Sequence, residues 1–256
     1  MLSKKLGETK GPLFVWLFVT LCFAMPILFG SSSRGQLPQD VTISLILSLL
    51  LNIITIPWGL VIFFLVAFLA FWEKKRSLRE IFSSVGLKRQ GSVSSVFWTL
   101  TLTPFFLVIY LLLMVMSYFL GPLSFPQASS PTNGPVPIWY PYYMIIYSFF
   151  PVAVIEEAVA RGYILDRLMP EHPSSIAKAL PAIIISSLLS TLYHIPAYLG
   201  LYTFSLPWAV ALLAGNVFPW SIALSVAYVR ARSRNILGPV LIHFLADSMP
   251  IILSLA

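Results

Sequence analysis

The stretch FFPVAVIEEAVARGYIL, residues 149–165, decides the fold. Its apolar content suits a membrane span, yet it carries Glu156, Glu157 and Arg161. An ionisable side chain inside a bilayer is costly, so such groups usually face a bundle interior and serve a purpose. Helical spacing separates the two acids. At about 100° per residue, Glu157 and Arg161 lie within about 40° of each other. Glu before Arg at this spacing is the favourable order for an ion pair. Glu156 points about 100° away from Glu157. Arg161 is therefore expected to neutralise Glu157, which leaves Glu156 to face a cavity. The plain alternative is a charged trio at a helix end, with Arg161 snorkelling to the cytoplasmic interface. Glu156 lies 11 residues before Arg167, about 16 Å of helix, which is deeper than a rim.

The rest of the chain fits this membrane setting. Of its 256 residues, 58% are hydrophobic and 10% charged, and mean hydropathy is +0.88. Soluble domains are nearer half apolar and a quarter charged. The expectation is an all-α, polytopic transmembrane helix bundle forming one integral membrane domain over residues 1–256. A bilayer core needs roughly 20 apolar residues per helix. Seven segments qualify, near 12–30, 41–72, 93–120, 138–165, 177–199, 205–229 and 236–255. The second is long and contains Pro57 and Gly59; two half-spans there would make eight. The start MLSKKLGETKGPLFVWLF is basic and then apolar, and similar segments follow it, so it is expected to stay as the first helix.

Basic residues set the orientation. With seven spans and a cytoplasmic N-terminus, 14 of the 16 Lys and Arg residues fall on the cytoplasmic side, Arg34 falls outside, and Arg161 lies within a span. This asymmetry predicts N-terminus in and C-terminus out, in a multi-pass protein of the plasma membrane. The net charge of +7 is thereby assigned to topology, and no nucleic-acid partner is expected. Residues 73–92, EKKRSLREIFSSVGLKRQGS, read as a short basic amphipathic helix on the inner leaflet. SFPQASSPTNGPVP, 124–137, reads as an irregular external loop. The single cysteine, Cys22, gives neither a disulfide framework nor a thiolate metal site.

Besides the trio, the polar residues out of place in spans are His194, His243 and Asp247. His243 and Asp247 are four apart on one face. Their bland reading is a local hydrogen bond; the functional one is a histidine oriented by a carboxylate. His243 lies nine residues past Arg234, about 13 Å in and level with Glu156. His194 matches less well. If Pro181 opens its helix, as proline often does at the first position, His194 stands about 20 Å up. Tilt or a later helix start would bring it level, and the bland reading is an interfacial histidine before Pro196. His172, between two prolines, is read as a loop residue.

One free carboxylate and two histidines inside a membrane suggest water activation. A buried carboxylate is a useful general base, a histidine can share the water, and a second polar pair can steady an oxyanion. Glu156, His194 and His243 also make a possible metal set with an open water position, zinc being the expected ion. Either arrangement leads to hydrolysis, with a peptide bond the expected target. Other intramembrane protease chemistries lack their motifs. There is no H-E-x-x-H; GSSS at 30–33 does not complete G-x-S-G; and Asp40, Asp166 and Asp247 lack a G-x-G-D context.

EEAVAR at 156–161, YHIP at 193–196 and HFLAD at 243–247 together resemble the type II CAAX prenyl endopeptidases and their bacterial relatives. These form the CPBP or Abi family of intramembrane proteases, which includes bacteriocin-resistance proteins. The resemblance spans about 138–250, and GLKR at 86–89 is also familiar from it. It implies a helical bundle with a cavity open to the cytoplasm and Glu156 as general base. It further implies that His194 helps activate water, that His243 and Asp247 stabilise the oxyanion or position substrate, and that Glu157 and Arg161 support the site. Two residues depart from the pattern. Ser190 stands where the family often has Phe, and Asp247 where the prenyl proteases have Asn. An ionised Asp only accepts hydrogen bonds, so it would orient a protonated His243, or itself carry a proton. The family is argued to be either metal-dependent or metal-free. A peptide or protein substrate is implied, prenylated in the eukaryotic branch and a membrane or leader peptide if the source is bacterial.

Two other classes compete. One is a non-catalytic membrane scaffold or bacteriocin-immunity-type protein of the same fold; the filled set of polar positions favours the enzyme. The other is a proton-coupled transporter using the same carboxylates; no inverted repeat supports it.

Overall fold

The computed structural model describes residues 10–22, 24, 55–102, 104, 105, 108, 109, 111, 112, 115, 119, 140–170, 173, 175–196, 198 and 206–254. Arg34, Asp40, His172, residues 41–54 of the second expected span and the loops 124–137 and 200–204 lie outside them. Among the described residues every regular element is helical. The helices are α1 (Lys10–Cys22), α2 (Thr55–Phe71), α3 (Leu78–Ser84), α4 (Ser92–Leu100), α5 (Pro141–Leu168), α6 (Ile176–Leu192), α7 (Ala209–Ala231) and α8 (Leu237–Ser254).

By length and composition α5 and α7 are apolar enough to cross a bilayer, with mean hydropathies of 1.5 and 1.7 over their best windows. The distribution of side chains is inverted relative to a water-soluble protein. Phe63, Phe71, Val93, Phe97, Phe119 and Phe150 are exposed, whereas Glu156, Glu157, Arg161, Ser186, Ser187 and Ser225 are buried. Exposed apolar surface on this scale has to be covered, and a bilayer covers it.

One apolar core joins α1, α2, α3, α5, α6, α7 and α8 through Val15, Phe68, Ile81, Ile164, Ile183, Tyr228 and Val240. Helix α6 packs on α7 and on the second half of α5, while α8 packs on α4 and on the first half of α5. Small residues allow the close approaches, as in other membrane helix pairs. Ser187 and Ser225 bring their hydroxyls to 3.4 Å between α6 and α7. A Cβ on Gly162 would run into the Val85 carbonyl, and one on Gly238 into Ser95 and Thr99.

The linker after α2 does hold a short helix. Ser77 caps α3 by accepting from the Glu80 N–H at 3.2 Å, and the Glu80 carboxylate accepts from the Arg76 N–H at 3.0 Å, a capping-box pattern. Ile81 and Val85 face the bundle; Leu78, Phe82 and Arg79 face out. The loop that follows is tied to the turn before α8. Gly86, with φ 81°, accepts from the Ile236 N–H at 3.2 Å. Asn235 donates to the carbonyls of Lys88 and Gln90 and accepts from the Leu237 N–H. Ser95 donates to the Asn235 carbonyl at 2.7 Å and accepts from the Gly238 N–H at 3.0 Å.

Helix α6 corrects one expectation. Pro181 does not open it; the helix begins at Ile176, with Ser175 extended before it, and Pro181 lies inside. A start earlier than assumed moves His194 further along the helix, so the match in depth has another cause.

Candidate active site

Helix α5 is not uniformly α-helical. Its turns widen to i→i+5 bonding over Ser148–Val154 and again over Ala158–Leu165, on either side of Ile155–Glu157. Pro151 lies in the first wide turn and has no N–H to give. Widened turns of this kind are frequent at functional sites. Here they flank the two glutamates.

Glu157 is completely buried and Arg161 is 3% exposed. Their ion pair forms at 3.0 Å. Arg161 does not reach an interface: its Nη2 donates to the Ser221 carbonyl at 3.0 Å and to the Ser221 hydroxyl at 2.7 Å. Glu157 also does something its spacing does not show. The same Oε1 accepts from Nδ1 of His243, across the bundle, at 2.8 Å. The carboxylate that takes the Nδ1 proton of His243 is thus Glu157. Asp247 approaches the other ring nitrogen, with Oδ2 at 3.4 Å from Nε2. Glu157 Oε2 and Arg161 Nε have no hydrogen-bond partner among the described residues.

Glu156 faces the other way. Its Oε2 is 3.6 Å from Nε2 of His194 and 3.8 Å from Nε2 of His243. It also accepts a hydrogen bond from the Tyr193 hydroxyl at 3.1 Å. His194 reaches this level because α6 ends at Leu192 and the ring folds back, Nδ1 lying 2.8 Å from the Ser190 carbonyl. A carbonyl only accepts, so Nδ1 of His194 carries a proton, and Nε2 is the ring atom turned towards Glu156. For His243 the pattern differs. Both ring nitrogens face carboxylate oxygens, so both suit the role of donor.

The structure therefore brings Glu156, His194 and His243 together around one carboxylate oxygen, with Asp247 beside His243, and Glu157 and Arg161 behind them. Tyr193 and Ser221 carry contacts that the sequence did not assign to them. Tyr193 sat within the YHIP motif next to His194, and that adjacency was its only signal. Ser221 had none. A carboxylate and two imidazoles are donors that zinc accepts, and Glu156, His194 and His243 would be its ligands. Among the described residues, however, no group of three or more His, Cys, Asp or Glu side chains is arranged to hold a metal ion, and Oε2 of Glu156 already accepts from Tyr193.

Residues 138–249, which hold every residue of this site, match the family model of the Rce1-like proteins, described as type II CAAX prenyl endopeptidase Rce1-like. No curated protein and no solved structure matches the chain. The matched stretch carries EEAVAR on α5, YHIP just after the end of α6 and HFLAD on α8, the three motifs that converge in space. Over residues 138–249 the chain is similar to the Rce1-like type II CAAX prenyl endopeptidases.

Proposed function

We propose that the chain is an intramembrane endopeptidase in which Glu156 is the general base. The observation that supports this most is the convergence of both histidine Nε2 atoms on Glu156 Oε2, at 3.6 and 3.8 Å. These gaps exceed a direct hydrogen bond and suit a shared water.

In the reaction, Glu156 takes one proton from that water while the water's oxygen forms a bond to the scissile carbonyl carbon. The carbonyl electron pair moves onto oxygen. His243, backed by Glu157 and Asp247, donates to this oxyanion. The pair then returns, the carbon–nitrogen bond breaks, and the amine leaves with the proton that Glu156 held. Arg161 holds Glu157 in place through their 3.0 Å contact, so its role is support. The substrate is a peptide or protein presented at a membrane, prenylated if the family's activity carries over. The chain lies in the plasma membrane as seven spans, N-terminus inside, with α3 resting on the inner leaflet through Leu78 and Phe82. Residues 1–256 act as one domain.

The test is cleavage of a quenched, farnesylated CAAX peptide by the purified protein in liposomes. Glu156→Gln should lower kcat by at least about a hundredfold, and His243→Ala by about a hundred- to a thousandfold, with both proteins still inserted. Undiminished cleavage by Glu156→Gln overturns the mechanism. A cellular phenotype that survives Glu156→Gln points instead to a non-catalytic scaffold.

A further inference from the structure

We infer that Tyr193 is a positioning residue for the site, acting through its hydroxyl on Glu156 and through its ring on His194. The inference rests on the endopeptidase reading but concerns a residue to which that reading gives no role. Tyr193 is the last residue of the α6 geometry, at φ −71° and ψ −13°, with its N–H still bonded to the Leu189 carbonyl. On a continuing helix, Tyr193 and His194 would diverge by about 100°. The helix stops at Leu192, and the two rings stack instead, with centroids 4.5 Å apart and planes 23° apart.

The same side chain reaches back across the helix pair. Its hydroxyl donates to Glu156 Oε2 at 3.1 Å, and the Ser190 hydroxyl lies 3.4 Å from it. Tyr193 is 1% exposed, so solvent does not compete for that donor. Among the described residues Tyr193 makes the one hydrogen bond to its carboxylate that meets ordinary length, the two histidines standing further off. Without the hydroxyl, the carboxylate is free to turn about its last torsion, which is broad for a glutamate. The oxygen that both histidines face would no longer be held there. The stack on His194 fixes the second member of the site from the same residue, so Tyr193 sets the angle between base and imidazole.

Tyr193→Phe keeps the ring and removes only the hydroxyl. A lost hydrogen bond to a buried carboxylate corresponds to a fall of about ten- to a hundredfold in kcat, with KM little changed. Tyr193→Ala, which also removes the stack, should fall further. The farnesylated CAAX peptide is the probe. Wild-type kcat in Tyr193→Phe, alongside an inactive Glu156→Gln, overturns this inference and leaves the endopeptidase reading standing. Activity retained in Glu156→Gln overturns the endopeptidase reading. A second measurement does not depend on cleavage. Thermal unfolding in detergent of Tyr193→Phe, Glu156→Gln and the double variant forms a cycle. Non-additive shifts are expected from a hydroxyl that bonds the carboxylate, and additive shifts overturn it.

Discussion

Helix α5 carries two charged clusters, Glu156–Glu157–Arg161 in its middle and Asp166–Arg167 at its end, with only four residues between Arg161 and Asp166. The end cluster is a closed set of pairs. Arg167 holds Glu73 through two nitrogens at 2.7 and 3.0 Å and Asp166 at 3.0 Å. Asp166 also takes Arg234 at 3.3 Å and the Tyr228 hydroxyl at 3.1 Å. Arg167 is 26% and Arg234 35% exposed, so solvent screens the set. The middle cluster is buried and unevenly matched. One arginine serves Glu157, which also holds His243, while Glu156 is met by a hydroxyl and two histidines. The residue types are alike; their burial and pairing differ. The end cluster ties the turn after α2, the end of α5 and the turn before α8 together, whereas the middle cluster leaves one carboxylate, Glu156, without an arginine.

Arg161→Met should break this contrast most severely. It strands a fully buried Glu157, and removing one partner of a buried pair typically costs about 3–5 kcal/mol. Thermal unfolding in detergent measures it. Adding Glu157→Gln should recover part of that loss without recovering cleavage, because His243 would still lack its carboxylate. Gly162, between the clusters, comes next. Gly162→Ala pushes a methyl into the Val85 carbonyl, an overpacking of about 1–3 kcal/mol that should be visible as a lower Tm with kcat nearly intact. Arg167→Gln should have the smallest effect, about 1 kcal/mol or less and shrinking with added salt. A loss for Arg167→Gln as large as that for Arg161→Met would erase the distinction between the clusters.

Much of the middle cluster was legible because it is local. The spacing of Glu157 and Arg161 on one helix foretold their pair, and the same rule set Glu156 apart. What escaped was non-local. Nothing in the spacing of α5 tells that Glu157 takes His243 of α8, or that Arg161 ends on Ser221 of α7. A single chain carries no signal for which faces of distant helices meet. Asp247 drew the orienting role because it is four residues from His243, yet the carboxylate 86 positions away holds the Nδ1. The depth of His194 was reckoned from Pro181 because proline is common at a helix start, whereas the helix begins at Ile176, close to the start of the 177–199 segment, and holds Pro181 inside it. The level of His194 then came from the fold-back at the helix end, which residue spacing does not encode. The departure at Ser190 also acquires a physical context. Its carbonyl receives His194 and its hydroxyl lies beside Tyr193.

The stitch between residues 86–95 and 235–238 bears on where the chain can be cut. Helix α8 carries His243, and its first turn is held by the Ser95 hydroxyl, while the residue before it hangs on the Gly86 carbonyl. Both anchors precede residue 138, where the family match begins. A fragment trimmed to the matched stretch would keep every residue of the site and lose the brace that aims one of its histidines. Co-expressing the severed front portion should restore cleavage that the trimmed fragment lacks.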